Sequence, residues 1–250
     1  MTVSADAYVA ALRSVLDRVV ADTAAEVATA ADLVAGALLR GGVIQAFGTG
    51  HSEAFTMEVA GRAGGLIATN RIALRDVVLY GDDPREVLAD GHLERDPTVA
   101  GRLYELAAPH PEDVFVLASN SGINGSIVEF ALLVKERGHD LIAVTSVEHS
   151  SRVAPRHRSG KRLADIADVV LDNGAPYGDA LLPLPSGGSV CAVSSITAAL
   201  LAQLVVAEVV RRIQAAGEVA PIYLSANVPG GDEHNDVLES RYAGRLRRSA

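Results

Sequence analysis

Residues 114–135 read VFVLASNSGINGSIVEFALLVK: an apolar strand, a polar turn and an apolar helix in succession. The turn is Ser119, Asn120, Ser121, Gly122, Ile123 and Asn124. Small hydroxyl and amide side chains opening a helix suit a phosphate group. The first N–H groups of the helix lack internal partners, the dipole there favours negative charge, and short side chains allow close approach. Ser and Asn are also the usual capping residues, so this turn alone reads equally well as an ordinary N-cap. It has a companion upstream. Residues 42–57, GVIQAFGTGHSEAFTM, place Gly48, Thr49, Gly50, His51 and Ser52 between a strand at 43–47 and a helix starting near Ser52. The glycines permit positive φ and close approach of backbone to a ligand. The second motif has no Gly-Lys-Ser/Thr, lacks the third glycine of a dinucleotide fingerprint, and is followed by no acidic residue at the expected strand end. Together the turns predict a phosphorylated small molecule as ligand rather than a nucleoside triphosphate or NAD.

Those turns need strands and helices to hold them. With 250 residues, of which 49% are hydrophobic, the chain suffices for one α/β domain with additions. Apolar residues recur at helical spacing over 5–39, and Gly41 and Gly42 stop that helix. Short continuous apolar runs predict strands at about 43–47, 66–69, 114–118, 141–146 and 168–172, with helices at about 52–63, 98–108 and 123–137. A long apolar helix at about 189–215 closes the core and ends at Gly217. The alternation predicts a doubly wound, mostly parallel sheet in three αβα layers, with ligands at the carboxyl ends of the strands. Both polar turns fall at such ends. The expected organisation is one domain over 1–250, with a long N-terminal helix at 5–39, a core at about 40–215 and a tail at 217–250. Residues 146–161 form an irregular segment rich in basic side chains, and the tail from Pro221 is turn-rich before a final short helix.

The balance of 22 basic and 31 acidic residues, a net charge of −9, argues against nucleic acid as partner. A single cysteine, Cys191, excludes an internal disulfide framework, fits a reducing cytoplasm, and is expected as a small buried hydrophobe. The longest apolar stretch, 196–210, contains Gln203 and Glu208 and is too short and polar to span a bilayer. No basic segment followed by an apolar one marks a signal peptide at the N-terminus. The expectation is a cytoplasmic protein without a membrane partner.

The long N-terminal helix, GTGHS after one strand, SNSG after a later one and the long closing helix resemble the SIS (sugar isomerase) family of phosphosugar-binding domains over roughly 5–215. The segments HSSRVAPRHRSGKRL, DNGAPYGDALL and YLSANVPGGDEHN are similar to a branch of that family resembling N-acetylglucosamine-6-phosphate dehydratase. The resemblance implies an SIS-type, flavodoxin-like fold and a homodimer or higher homo-oligomer. It also implies a phosphate wrapped by Ser119, Asn120, Ser121, Gly122 and Asn124, with Gly50 and Ser52 contributing from the first turn. Asn120, Ile123 and Asn124 stand where the family's usual Ser-Thr-Ser-Gly-Asn-Ser has Thr, Asn and Ser, and Asn amides still donate hydrogen bonds.

Isomerisation and β-elimination of sugar phosphates both begin with removal of a proton beside a carbonyl, which needs a carboxylate or imidazole within hydrogen-bond reach. Glu58, in Glu-Val-Ala-Gly-Arg, resembles the Glu-x-x-Gly-Arg of phosphoheptose isomerases, where the Glu is catalytic. Here it follows Ser52 by six residues rather than ten, so Glu53 is a substitute, and an ion pair of Glu58 with Arg62 at i+4 is the structural alternative. Glu94, in Gly-His-Leu-Glu-Arg-Asp-Pro, resembles a region of N-acetylmuramic acid 6-phosphate etherases in which a Glu takes the C2 proton. The same base acting on N-acetylglucosamine 6-phosphate would expel the 3-hydroxyl as water; the alternative is a solvated carboxylate. His51 can hold phosphate or touch the sugar, and His92 can act as the acid partner of Glu94. His149 and His157 flank the basic segment carrying Arg152, Arg156, Arg158 and Lys161, which either closes on substrate or is simply solvated. His234 can reach a neighbouring subunit's site. No clear set of three ligands points to a metal, and no cofactor is implied. The closing helix carries no His where phosphoheptose isomerases use one, which favours a lyase over an aldose–ketose isomerase. A non-catalytic phosphosugar sensor is the third reading, although the first 40 residues leave no room for a DNA-binding helix-turn-helix.

Overall fold

Continuous apolar runs become strands wherever both faces of a sheet are covered, and this determines the centre of the molecule. The structure, a computed structural model, describes residues 3–89 and 91–247. Its elements in chain order are α1 (Ala5–Asp22), α2 (Ala24–Leu39), β1 (Ile44–Gly48), α3 (Glu53–Val59), β2 (Thr69–Ile72), α4 (Asp76–Leu79), α5 (Val99–Ala107), β3 (Val114–Ala118), α6 (Gly125–Glu136), β4 (Asp140–Thr145), α7 (Val147–Arg152), β5 (Val169–Asp172), β6 (Ala180–Pro183), β7 (Ser189–Ala192), α8 (Ser194–Ala215) and α9 (Gly231–Glu239). Strands β1 to β5 form one parallel sheet in the order β2-β1-β3-β4-β5. Every residue of β1 and β3 is buried. One face of the sheet packs on α2 and α8 through Val34, Leu38, Leu201 and Val209, and the other on α5 and α6 through Leu103, Ile127 and Phe130. The doubly wound, three-layer α/β architecture is as expected. Among the described residues no helix is long and apolar enough to cross a membrane.

The strand order reverses between β1 and β3. The helix after β1 lies on one face and the helix after β3 on the other, which opens a crevice at the carboxyl ends of these two strands. Their register pairs Gly48 with Ala118, so the two polar turns leave the sheet from facing positions.

Several boundaries differ from expectation. The helix expected at 5–39 bends at Thr23, whose backbone (φ −112°, ψ 9°) leaves the helical region while its Oγ1 donates to the Val19 carbonyl at 2.6 Å. Helix 52–63 stops at Val59, before Gly61 at φ 74°. The second strand lies at Thr69–Ile72 rather than 66–69, because Gly64, Gly65 and Ile67 exchange backbone hydrogen bonds with Pro221 and Tyr223 of the tail. Residues 189–192, expected as the start of the closing helix, pair antiparallel with 180–183 in a hairpin. The carboxylate of Asp179 accepts from the Ser194 N–H (2.8 Å) and hydroxyl (2.6 Å) and so sets the start of α8. Cys191 is therefore a strand residue, half-buried and at φ 69°, not a fully buried helix residue. The segment 146–161 opens with α7, and in the tail α9 begins within NVPGGDEHND itself. The last residues of that tail, 248–250, lie outside the described residues.

Candidate functional site

Gly48 ends β1 where an added Cβ would lie 2.5 Å from the Ser52 carbonyl oxygen, so only glycine lets the first turn fold back over the strand. Gly50 (φ 56°) then starts a 3-10 turn to Ser52, whose N–H donates to Thr49. His51 is exposed at its rim and Ser52 half-buried.

The second turn is held from three sides. The Ser119 N–H donates to Val144, the Ser146 N–H to the Asn120 carbonyl, and the Leu163 N–H to the Gly122 carbonyl. The Gly122 N–H donates to Ser119 Oγ at 3.1 Å, with Gly122 at φ 64°. Asn124 is the N-cap of α6, but its side chain makes no capping bond. The N–H groups of Gly125, Ser126 and Ile127 accordingly have no acceptor among the described residues. The 12-residue helix thus turns its positive dipole end, with these unbonded N–H groups on buried residues, toward the second turn.

The two turns meet. His51, Ser52 and Asn120 line one polar pocket together with Asn173, Ser194 and Ser195. Asn173, buried just past β5, donates from Nδ2 to Asn120 Oδ1 at 3.0 Å and accepts from Ala175 N–H at 3.0 Å. Sequence reasoning missed Asn173, Ser194 and Ser195 as site residues. The available signal was Asp172-Asn173-Gly174, a third short polar turn at a strand end.

Glu94 lies in a neighbouring open cleft of about 320 Å³ with Gly50, Glu53, Arg75 and Leu93. Its Oε2 stands 3.4 Å from where a Cβ on Gly50 would be. Among the described residues no group donates to this carboxylate. Its backbone is fixed, since Ser126 Oγ donates to the Glu94 carbonyl at 2.6 Å. The next carbonyl, that of Arg95, packs so tightly on Gly125 that a Cβ there would sit 2.1 Å away. Glu53, in the same cleft, is occupied by Arg75 at 2.6 Å and Arg71 at 3.3 Å.

The remaining candidates lie elsewhere. Glu58 pairs with Arg62 and accepts from Gln203 Nε2 at 2.6 Å, and it lines neither cavity. His92 is exposed and also lines neither; its carbonyl accepts from Arg95 N–H. His149 accepts from Gly178 N–H at 3.0 Å and stacks on Tyr177. His157 is buried, with Nε2 2.6 Å from Glu129 Oε2. His234 Nε2 bonds the Ile222 carbonyl of its own tail. Among the described residues no group of three or more His, Cys, Asp or Glu side chains gathers as a metal set.

Fold and site together define a doubly wound α/β protein with two polar turns at its sheet's switch point. The chain belongs to the SIS domain family, whose model matches residues 7–146. It is 42% identical over 218 residues to a UPF0309 protein of Listeria monocytogenes, covering 87% of this chain and 88% of that one. It is 37% identical to a UPF0309 protein of Brucella canis, covering 98% of each. Among solved structures, the phosphoheptose isomerase of Neisseria gonorrhoeae superposes with a TM-score of 0.54 at 21% identity, covering 82% of this chain and 95% of that one. A phosphoheptose isomerase from Francisella tularensis gives 0.51 at 14% identity, with the same coverage. At these identities the structural likeness establishes a shared fold.

Proposed function

We propose that this SIS domain is a phosphosugar lyase that dehydrates N-acetylglucosamine 6-phosphate. The observation that carries the reading is the Glu94 carboxylate, unpaired among the described residues, held over Gly50 of the first turn while its backbone docks on the start of α6. The phosphate rests on Ser52, Ser119, Asn120, Ser121 and Asn124, with the open N–H groups at the start of α6 and with Gly50 and Gly122 supplying close approach. Glu94 takes the C2 proton of the open-chain sugar. The resulting enolate expels the 3-hydroxyl, which leaves as water on receiving a proton from His51 at the pocket rim. A C2–C3 double bond replaces the C2–H and C3–O bonds, and no cofactor is consumed. The support is the fixed backbone of Glu94, the shared pocket of His51 with Ser52 and Asn120, and the ion pairs of Glu58 and Glu53 through their Oε1 atoms.

Incubation with N-acetylglucosamine 6-phosphate, followed by mass, tests the reaction. The expected product is lighter by one water. An unchanged mass, with the sugar phosphate still raising the melting temperature, would remove the lyase and leave an isomerase or a sensor. For the working unit we propose a homodimer, since Val9 and Val20 on α1 and Ile196 on α8 keep apolar side chains exposed. Sedimentation at the monomer mass across micromolar concentrations would contradict it.

A further inference from the structure

The phosphate turn offers hydroxyls, amides and backbone N–H groups, all of them neutral, for a ligand group that carries close to two negative charges. One cation stands against it. Arg156, in the segment after α7, donates from Nη1 to Asn124 Oδ1 at 3.3 Å, and Asn124 is the N-cap of α6. That contact explains why the Asn124 side chain makes no capping bond: it faces the guanidinium instead of the first-turn amides.

The segment that carries Arg156 is pinned on both sides. The next residue, His157, is buried and bonds Glu129 on α6 at 2.6 Å and Ser159 Oγ at 2.8 Å. Arg162 donates from Nε to the Ser150 carbonyl and from Nη2 to the Val153 carbonyl, both at 2.9 Å. Two neighbouring cations are committed elsewhere, Arg152 to Glu148 at 3.1 Å and Arg158 to Glu129 at 3.4 Å. Arg156 forms no ion pair with any described residue, and its exposed guanidinium keeps further N–H groups available beside the N-cap of α6. A planar fork of this kind bonds two phosphate oxygens at once, and its charge makes those bonds stronger than neutral ones.

We infer that Arg156 is a phosphate-binding residue of this site, closing the second turn from the side opposite Ser52 in sequence and selecting a dianionic sugar phosphate over an uncharged sugar. The inference rests on the phosphosugar reading above. Because the phosphate is remote from the reacting carbons, the charge of Arg156 acts on binding rather than on the chemical step.

Calorimetric titration with N-acetylglucosamine 6-phosphate separates the possibilities, using wild type, Arg156→Gln, Arg156→Lys, Ser121→Ala and Arg158→Gln, each checked for an unchanged melting temperature without ligand. Arg156→Gln is expected to weaken binding by roughly tenfold or more and to flatten its dependence on salt. Arg156→Lys should restore only part of the affinity, because an ammonium lacks the fork. The solvated Arg158→Gln should stay within about twofold of wild type. Wild-type affinity in Arg156→Gln, with Ser121→Ala weakened, would overturn the role of Arg156 and leave the phosphosugar site standing. Failure of wild type to bind either this sugar phosphate or inorganic phosphate would overturn both.

Discussion

Oε1 of Glu58 receives Arg62, from just beyond the end of α3, and Gln203 from α8, and so ties α3 to α8. Glu94 has the same side chain and no described donor, and it faces a cleft that includes the first polar turn. A general base needs an available lone pair within reach of the proton it removes, and the proposed role goes to Glu94 because its carboxylate faces a cleft and Glu58 lines none. Replacing Glu94 by Gln is expected to lower kcat by about 10²- to 10⁴-fold, while Glu58→Gln leaves the chemistry in place. At this scale much was legible in the sequence, for a local reason. Ser, Asn and Gly declare an anion-receptive turn by type alone, and the Glu58–Arg62 pair follows from i,i+4 spacing. Asn173 did not declare itself, and Arg156 was legible only as one cation of a basic segment that either closes on substrate or is solvated. Their contacts to Asn120 and Asn124 span 53 and 32 residues, a distance over which spacing carries no information.

The strands of the parallel sheet were readable because burial on both faces leaves one uninterrupted apolar run per strand. The second strand was misplaced by three residues where that logic competes with pairing to the tail: Leu66, although apolar and buried, bridges Ile222 instead of β1. The hairpin of β6 and β7 was hidden for a related reason. Its apolar residues run directly into those of α8, and the boundary is set by the remote carboxylate of Asp179 capping Ser194. The bend between α1 and α2 depends on a single hydroxyl, that of Thr23, turning back to Val19. In the site, the contact between elements matters more than either element alone. Glu94 is in position because its segment docks on the N-terminus of α6, where Gly125 leaves no room for a side chain.

The end of the sheet opposite the site is closed by a buried polar network. Asp113, just before β3, accepts from Val43 N–H at 2.8 Å, from Gln45 Nε2 at 2.9 Å and from the tail residue Arg245. His139 lies beside it, with Nδ1 3.2 Å from the Asp113 carbonyl and Nε2 2.8 Å from the Tyr104 hydroxyl. A carbonyl only accepts, so the geometry assigns the proton to Nδ1 and makes Nε2 the acceptor. Burial pushes the His139 pKa down from its ordinary 6.5. Below that value the unfolded chain binds a proton that the folded one refuses, so this contribution to stability is lost as pH falls from about 6.5 towards the lower folded value. Denaturant unfolding at about pH 7.5 and about pH 5.5 should show the loss, with a slope of at most about 1.4 kcal/mol per pH unit for one proton. His139→Gln should reduce that slope without altering turnover, since the network and the site occupy opposite ends of the strands. An unchanged slope in the variant would mean that other groups govern the acid limb.

The account turns on one proton, the one at C2, and on the group that removes it. N-acetylglucosamine 6-phosphate deuterated at C2 reads that step directly, as label released into water. The prediction is release by the wild-type protein in step with dehydration, retained in Glu58→Gln and nearly abolished in Glu94→Gln. Release from Glu94→Gln at the wild-type rate, or a dehydrated product still carrying the C2 label, would contradict it.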